Sequence, residues 1–167
     1  PIEVPDDKVS VRLADRARDA RSLISYGVGC MFGRYSTEAK GLVLADQGAT
    51  IEDFKVKVPG AKYLPDDDNV LPVLSEDWFD DDIVTGFRAW LAHTYGQDTL
   101  SENVRWLEES IGKDLRTYFC KDFYADHVRV YQKRPIYWMF QSPKKGFSCL
   151  VYLHRYNPST VGEVLGK

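Results

Sequence analysis

The stretch from Gly27 to Gly33 places three glycines beside an apolar run. At such spacings backbone N–H groups sometimes cradle a phosphate. A dinucleotide fingerprint needs G-x-G-x-x-G between a strand and a helix, with an acid about 20 residues further on. Here the spacing is G-x-G-x-x-x-G, and helical periodicity precedes the glycines instead of following them. A P-loop ends in Gly-Lys-Ser/Thr, which Gly33-Arg34-Tyr35 does not supply. The run therefore reads as a helix end where missing Cβ atoms admit a close neighbour.

Carboxylates come next. Asp66, Asp67, Asp68, Glu76, Asp77, Asp80, Asp81 and Asp82 fall within 17 residues. Such a cluster can hold a hard cation, but it lacks the Gly-punctuated alternation of a calcium loop. The first three read as a solvated loop and the last three as a helix start, where negative charge meets the positive helix end. A restriction-type nuclease needs an acid followed by acid-x-Lys on a strand, to hold metal and activate water. The close string, Asp53-Phe54-Lys55, precedes Pro65-Asp66, so the order is wrong. His93, His127 and His154 form no metal-ligand pair. The first two are expected on helix surfaces, and His154 at a strand end beside Arg155, where it donates to a phosphate or caps the edge. No Ser or Cys sits in a nucleophile elbow. Amino-group methylation would call for Asn-Pro-Pro-Tyr or Asp-Pro-Pro-Tyr, and the sequence holds no Pro-Pro pair. These residues assign no catalytic, cofactor-binding or metal-binding position.

What remains is cationic. Residues 1–112 carry 12 basic and 21 acidic side chains; residues 113–156 carry 9 and 3. The basic segment interleaves its charges with aromatics, as a nucleic-acid surface requires. Lys144, Lys145, Arg134 and Arg155 are the candidates for phosphate contact, with Lys133 beside them. A hairpin tip bearing two Lys and a Gly suits a phosphate backbone. Lys on a hairpin also serves simply to discourage edge pairing.

The elements that must position these groups can be read from periodicity. Leu13, Ala17, Ala20, Ile24, Val28 and Met31 recur at helical spacing within Val9–Phe32. Pro1–Asp7 reads as an extended linker and Gly41–Ala45 as a short extended piece. Residues 46–72 are loop-like, with a small strand expected at Phe54–Val58. Asp77 is the expected cap of a second helix, with Ile83, Phe87, Trp90, Leu91 and Tyr95 as its buried stripe and Gly96 as its stop. Thr99-x-x-Glu102 has a capping-box spacing for a third helix, which buries Val104, Leu107 and Ile111 and ends at Gly112. A fourth spans Asp114 to about Lys133, limited by Pro135. Ile136–Phe140 and Phe147–Leu153, joined by Ser142–Gly146, read as a β-hairpin. Asn157-Pro158 opens a last helix. The expected class is α+β: mainly helical, with a small antiparallel β element towards the C-terminal end. The whole reads as one unit, an acidic helical connector over 1–112 and a basic helix-plus-hairpin part over 113–167.

At 167 residues and 44% hydrophobic, the chain can bury one real core. Cys30, Cys120 and Cys149 are odd in number and widely spaced, which argues against a disulfide framework and fits a reducing cytoplasm. No apolar run approaches the roughly 20 residues that span a bilayer. The sequence opens at Pro1 without Met and closes at Gly166-Lys167 just after an apparent helix turn, which reads as a piece of something longer.

Five strings add a family. "ISYGVGCMFGRYS", "GLVLADQG", "DDDNVLPVL", "WFDDDIV" and above all "KRPIYWMFQSPKKGFSCLVYLHRY" resemble the adenine-specific DNA methyltransferases of BREX phage-exclusion systems, the PglX family. That family is related in layout to type IIG restriction–modification enzymes. The resemblance covers most of residues 22–165. It implies a segment following the methyltransferase domain, a connector and the start of a target-recognition region, with the catalytic tetrapeptide and the S-adenosylmethionine residues upstream. It implies that this segment alone is inactive and holds no cofactor, and that S-adenosylmethionine belongs to the parent protein. It implies double-stranded DNA as partner through the parent, with other defence-system subunits as further candidates and no membrane. Gly27 departs from the family, where a small residue, often Ala, is expected. The turn Pro143–Gly146 varies between relatives, so a base-specific role is not carried over to it.

Overall fold

A computed structural model describes residues 14–77, 79–144 and 146–167. The expected linker Pro1–Asp7, the helix start at Val9, Leu13 and Lys145 lie outside the described residues. The protein is α+β and mainly helical. Helix α1 (Arg16–Met31) is capped by Asp15, whose side chain accepts from Arg18 N, and it buries Ala20, Ile24, Val28 and Met31 as the periodicity predicts. Its glycines are packing residues. A Cβ on Gly27 would stand 2.6–2.7 Å from ring atoms of Phe87 and Trp90, and one on Gly29 2.5 Å from the Tyr35 ring. Gly33 adopts φ +77° where the chain turns away beneath Leu44 and Pro65.

The chain from 46 to 72 departs from expectation twice. Phe54–Val58 is not a strand: α2 (Ile51–Lys57) forms there, started by a reciprocal capping box between Thr50 and Asp53 and anchored by buried Phe54. That box removes Asp53-Phe54-Lys55 from any nuclease reading. Val70–Pro72 is strand β1. The acids are used structurally. Asp66 and Asp68 both accept from Val70 N, at 3.1 and 2.9 Å. Asp82, fully buried, caps α3 (Ile83–Tyr95) in place of the expected Asp77. Arg116 pairs with the buried Asp82 carboxylate, reaches Asp77 at 3.5 Å, and also donates to the carbonyls of Leu74 and Glu76.

Helix α3 stops at Gly96, and α4 (Leu100–Ile111) buries Val104, Leu107 and Ile111 before a left-handed Gly112. The Thr99 box does not close, because the Thr99 hydroxyl donates back to the Tyr95 and Gly96 carbonyls instead. The fourth helix is divided. Asp114 caps α5 (Leu115–Tyr118), a π-helical turn covers Phe119–Phe123, and α6 (Tyr124–Val130) completes it. Strands β2 (Tyr137–Gln141) and β3 (Ser148–Tyr152) form the expected hairpin, and β1 adds on β3's other side, giving antiparallel order β1-β3-β2. Helix α7 (Thr160–Gly166) closes the chain.

Alternation along β3 sends Leu150 and Tyr152 into the main core, and Cys149 and Val151 to the opposite face, where Val70, Phe140, Phe147 and Val164 of α7 meet them. One hydrophobic cluster runs from Ala20 to Tyr152 and so includes residues of both the acidic and the basic parts.

Candidate nucleic-acid interface

The basic residues singled out from sequence fall into three places. Lys133 and Arg134 are exposed on the turn between α6 and β2. The turn is fixed by left-handed Gln132 (φ 51°) and Lys133 (φ 64°), with Lys133 N donating to Val128 O at 2.9 Å and Arg134 N to Tyr131 O at 2.9 Å. Non-glycine residues occupy that region only where surrounding bonds hold them. Lys144 is exposed at the hairpin tip, where Ser142 N donates to Phe147 O at 2.9 Å and Phe147 N donates to the Ser142 hydroxyl at 3.1 Å. The five residues of β2 lie between these two places. At about 3.4 Å rise per residue, the cations stand roughly 20 Å apart along the strand.

Arg155 is not among them. It is buried, and its guanidinium donates to the carbonyls of Asp66 (2.7 Å), Asp67 (2.9 Å) and Phe32 (3.5 Å). Burial lowers its pKa against the opposing pull of Asp66, Asp67 and Asp68. A guanidinium committed to three backbone oxygens inside the protein does not fit the expected phosphate contact. It pins the 66–67 loop to the end of α1.

His127 corrects a second expectation. It is only 4% exposed, stacked between Tyr131 and Tyr137 at 4.5 Å from each ring. Its Nε2 accepts from Ile136 N (3.1 Å) and Tyr137 N (3.3 Å), so the ring is neutral with its proton on Nδ1. Burial, helped by the nearby Arg34 charge, depresses its pKa to about 4. His127 thereby anchors the entry to β2 and the turn carrying Lys133 and Arg134. Spacing could have found it, since it lies four residues after buried Phe123 on the same helical stripe. His93 is exposed, as expected. His154 lowers its pKa through burial, and its carbonyl accepts from Gly48 N and Ala49 N.

Among the described residues no group of three or more His, Cys, Asp or Glu could hold a metal ion. Cys30, Cys120 and Cys149 are free thiols. No helix of the described residues is long and apolar enough to cross a membrane. The glycine run does not fit S-adenosylmethionine, because the space beside each glycine is filled by the chain's own rings and prolyl carbons.

Fold and site together define a small α+β unit that presents exposed cations at both ends of a hairpin. Its relatives narrow the class. Across 99% of its length the chain is 39% identical to the adenine-specific methyltransferase PglX of Lacticaseibacillus casei (strain Zhang). Across 89% of its length it is 35% identical to the adenine-specific methyltransferase BrxX of Escherichia coli O9:H4 (strain HS). The chain spans 14% of the length of each of these relatives. No family model matches it. The resemblance read from the five strings is borne out: the chain is similar, over nearly all its residues, to one segment of these methyltransferases.

Proposed function

We propose that this chain is the non-catalytic connector and DNA-grip portion of a site-specific adenine DNA methyltransferase of a phage-defence system. The likeness to PglX and BrxX along nearly the whole chain carries this reading. Methylating adenine requires the base to be extruded while the duplex is held in register. Lys133 and Arg134 at one end of β2, with Lys144 at the other, contact phosphates on the duplex, and Lys145, next in the sequence, is proposed to join them. S-adenosylmethionine and the methyl-transfer residues belong to the rest of the parent protein, and this chain by itself transfers no methyl group. Changing Lys144 and Lys145 together to Ala is expected to weaken duplex binding and flatten its salt dependence, by about one unit of log–log slope per lost phosphate contact. Anisotropy of a labelled duplex across a salt titration measures this.

A second reading is a connector without DNA contact. The burial of Arg155 and the separation of the remaining cations favour it. Under it the same titration gives identical curves for the variant and the parent chain.

A further inference from the structure

A cleft of about 400 Å³ opens between α1, the Tyr35 turn and the α5–α6 helix. Its walls are aromatic. Tyr26 and Tyr35 lie on one side, with ring centroids 5.3 Å apart, and Tyr118 and Tyr131 line it from the other helix. Arg34 donates to the Tyr35 hydroxyl at 3.3 Å and sits over its ring, fixing that wall. The π-helical turn Phe119–Phe123 lies within the wall-forming helix, and such turns recur at functional sites.

Its polar groups are donors in surplus. Three arginines, Arg18, Arg21 and Arg129, line it against one lining carboxylate, Asp126, while Arg18 also pairs with Asp19 beside the cleft at 3.4 Å. Asp126 is already taken by the Tyr118 hydroxyl at 3.0 Å, by Arg129, and by Arg21 at 3.5 Å. Among the described residues four buried side-chain nitrogens have no hydrogen-bond partner, and two of them belong to residues of this cleft: Arg21 Nε, which meets Asp126 only in the 3.5 Å ion pair, and His127 Nδ1. Orphaned donors in a native interior call for an explanation. Ser22, Ser25 and the tyrosine hydroxyls add groups that can donate or accept, the walls are flat π-surfaces, and the rim carries the arginines, with exposed Lys133 and Arg134 following Tyr131 closely in the chain.

We propose that this cleft is a nucleotide-unit site: it takes one unstacked nucleobase between its tyrosines and the attached phosphate against its arginine rim. Stacking tolerates any base, and the cations repel positively charged guests. The base comes from an unpaired or extruded position of a DNA strand or from a free nucleoside monophosphate. Only the first source rests on the DNA reading above; the cleft chemistry is common to both.

A single-stranded oligonucleotide carrying 2-aminopurine, titrated with the whole chain, tests this. We expect saturable quenching of the probe, weakened ~10-fold by Tyr131→Ala and by replacing the central base with an abasic site. Arg129→Gln, at an exposed position, is expected to reduce the salt dependence while leaving the fold intact. A measurement without any variant is the side-chain nitrogen resonance of His127, which is expected to move when the oligonucleotide or adenosine monophosphate is added. Binding of free monophosphate as tight as that of the oligonucleotide identifies a free nucleotide as the source. Binding of the oligonucleotide alone identifies a strand base. Equal binding of the abasic strand, together with an unmoved His127 resonance, overturns the proposal. Duplex binding that persists under that outcome leaves the DNA-grip reading standing, and its loss with cleft binding intact does the reverse.

Discussion

The two ends of the β2–β3 hairpin carry similar charge on different foundations. At the base, Lys133 and Arg134 ride on a left-handed turn whose outgoing strand is tied to buried His127. At the tip, Lys144 rides on a short loop closed by two hydrogen bonds between Ser142 and Phe147. Each end overlooks a cavity. The tip's, of about 540 Å³, is lined by Val73, Phe79, Cys120, Met139, Gln141 and Phe147, and none of the four orphaned nitrogens belongs to it. The base's is the aromatic, donor-rich cleft. A cation on a rigid mount can define where a strand lies, whereas one on a short loop contributes charge at little cost in specificity.

The strongest way to break that contrast is His127→Phe. It keeps a ring in the stack but leaves two backbone N–H groups without an acceptor. A loss of roughly 2–4 kcal/mol in a denaturant titration is expected, against under about 0.5 kcal/mol for Lys144→Ala. Equal losses would mean that the base is no better anchored than the tip.

Acid sharpens the same point. The His127 pKa is about 4 when folded and about 6.5 when free. Between those values the unfolded chain binds the extra proton, so the stability His127 contributes is complete above pH 6.5 and drains away as pH falls towards 4. It amounts to roughly 2–3 kcal/mol. Asp66 works in the opposite sense. Burial raises its pKa, so the folded state holds a proton the unfolded state has lost, and its effect on stability improves as pH falls. The comparison should therefore be parent chain against His127→Phe, whose stability difference narrows over this window. A gap constant from pH 7 to pH 4 would show that His127 does not titrate as described.

The smallest effect separates the ends on DNA. Lys133→Ala with Arg134→Ala is expected to lower the salt slope of duplex binding by about two units, and Lys144→Ala by about one. A smaller loss of slope per cation at the base than at the tip would reverse the contrast between a mounted and a tethered cation.

Helices with sustained apolar spacing and glycine stops were legible: α3 and α4 end where Gly96 and Gly112 say they should. So was the hairpin, whose aromatic and β-branched runs need only each other. Strand β1 was not, because three residues gain their identity from β3, about 80 positions later. The start of α2 was written as Thr50-x-x-Asp53, a box with Asp where Glu or Gln is usual, and a single buried Phe gave too little periodicity to second it. For the site, charge and exposure at Lys133, Arg134 and Lys144 were readable. The fate of Arg155 was not, since its acceptors are carbonyls at positions 32, 66 and 67. The aromatic cleft depends on the π-helical turn, which shifts Phe123 and His127 relative to Tyr118 in a way that no straight-helix register foretells.

Arg155 also sets an order of events at the ribosome. The carbonyls of Phe32, Asp66 and Asp67 have their buried donor only after synthesis has passed position 155. Strand β1 likewise waits for β3, which is central in the sheet and follows it by about 75 residues or more. The contacts among α1, α3 and α4 can form as those helices emerge, while the sheet must be assembled last around a strand that both its neighbours await. A nascent chain stalled before β3 would hold its helices together and leave Val70–Pro72 exposed, a short apolar strand open to any chaperone that reads such edges.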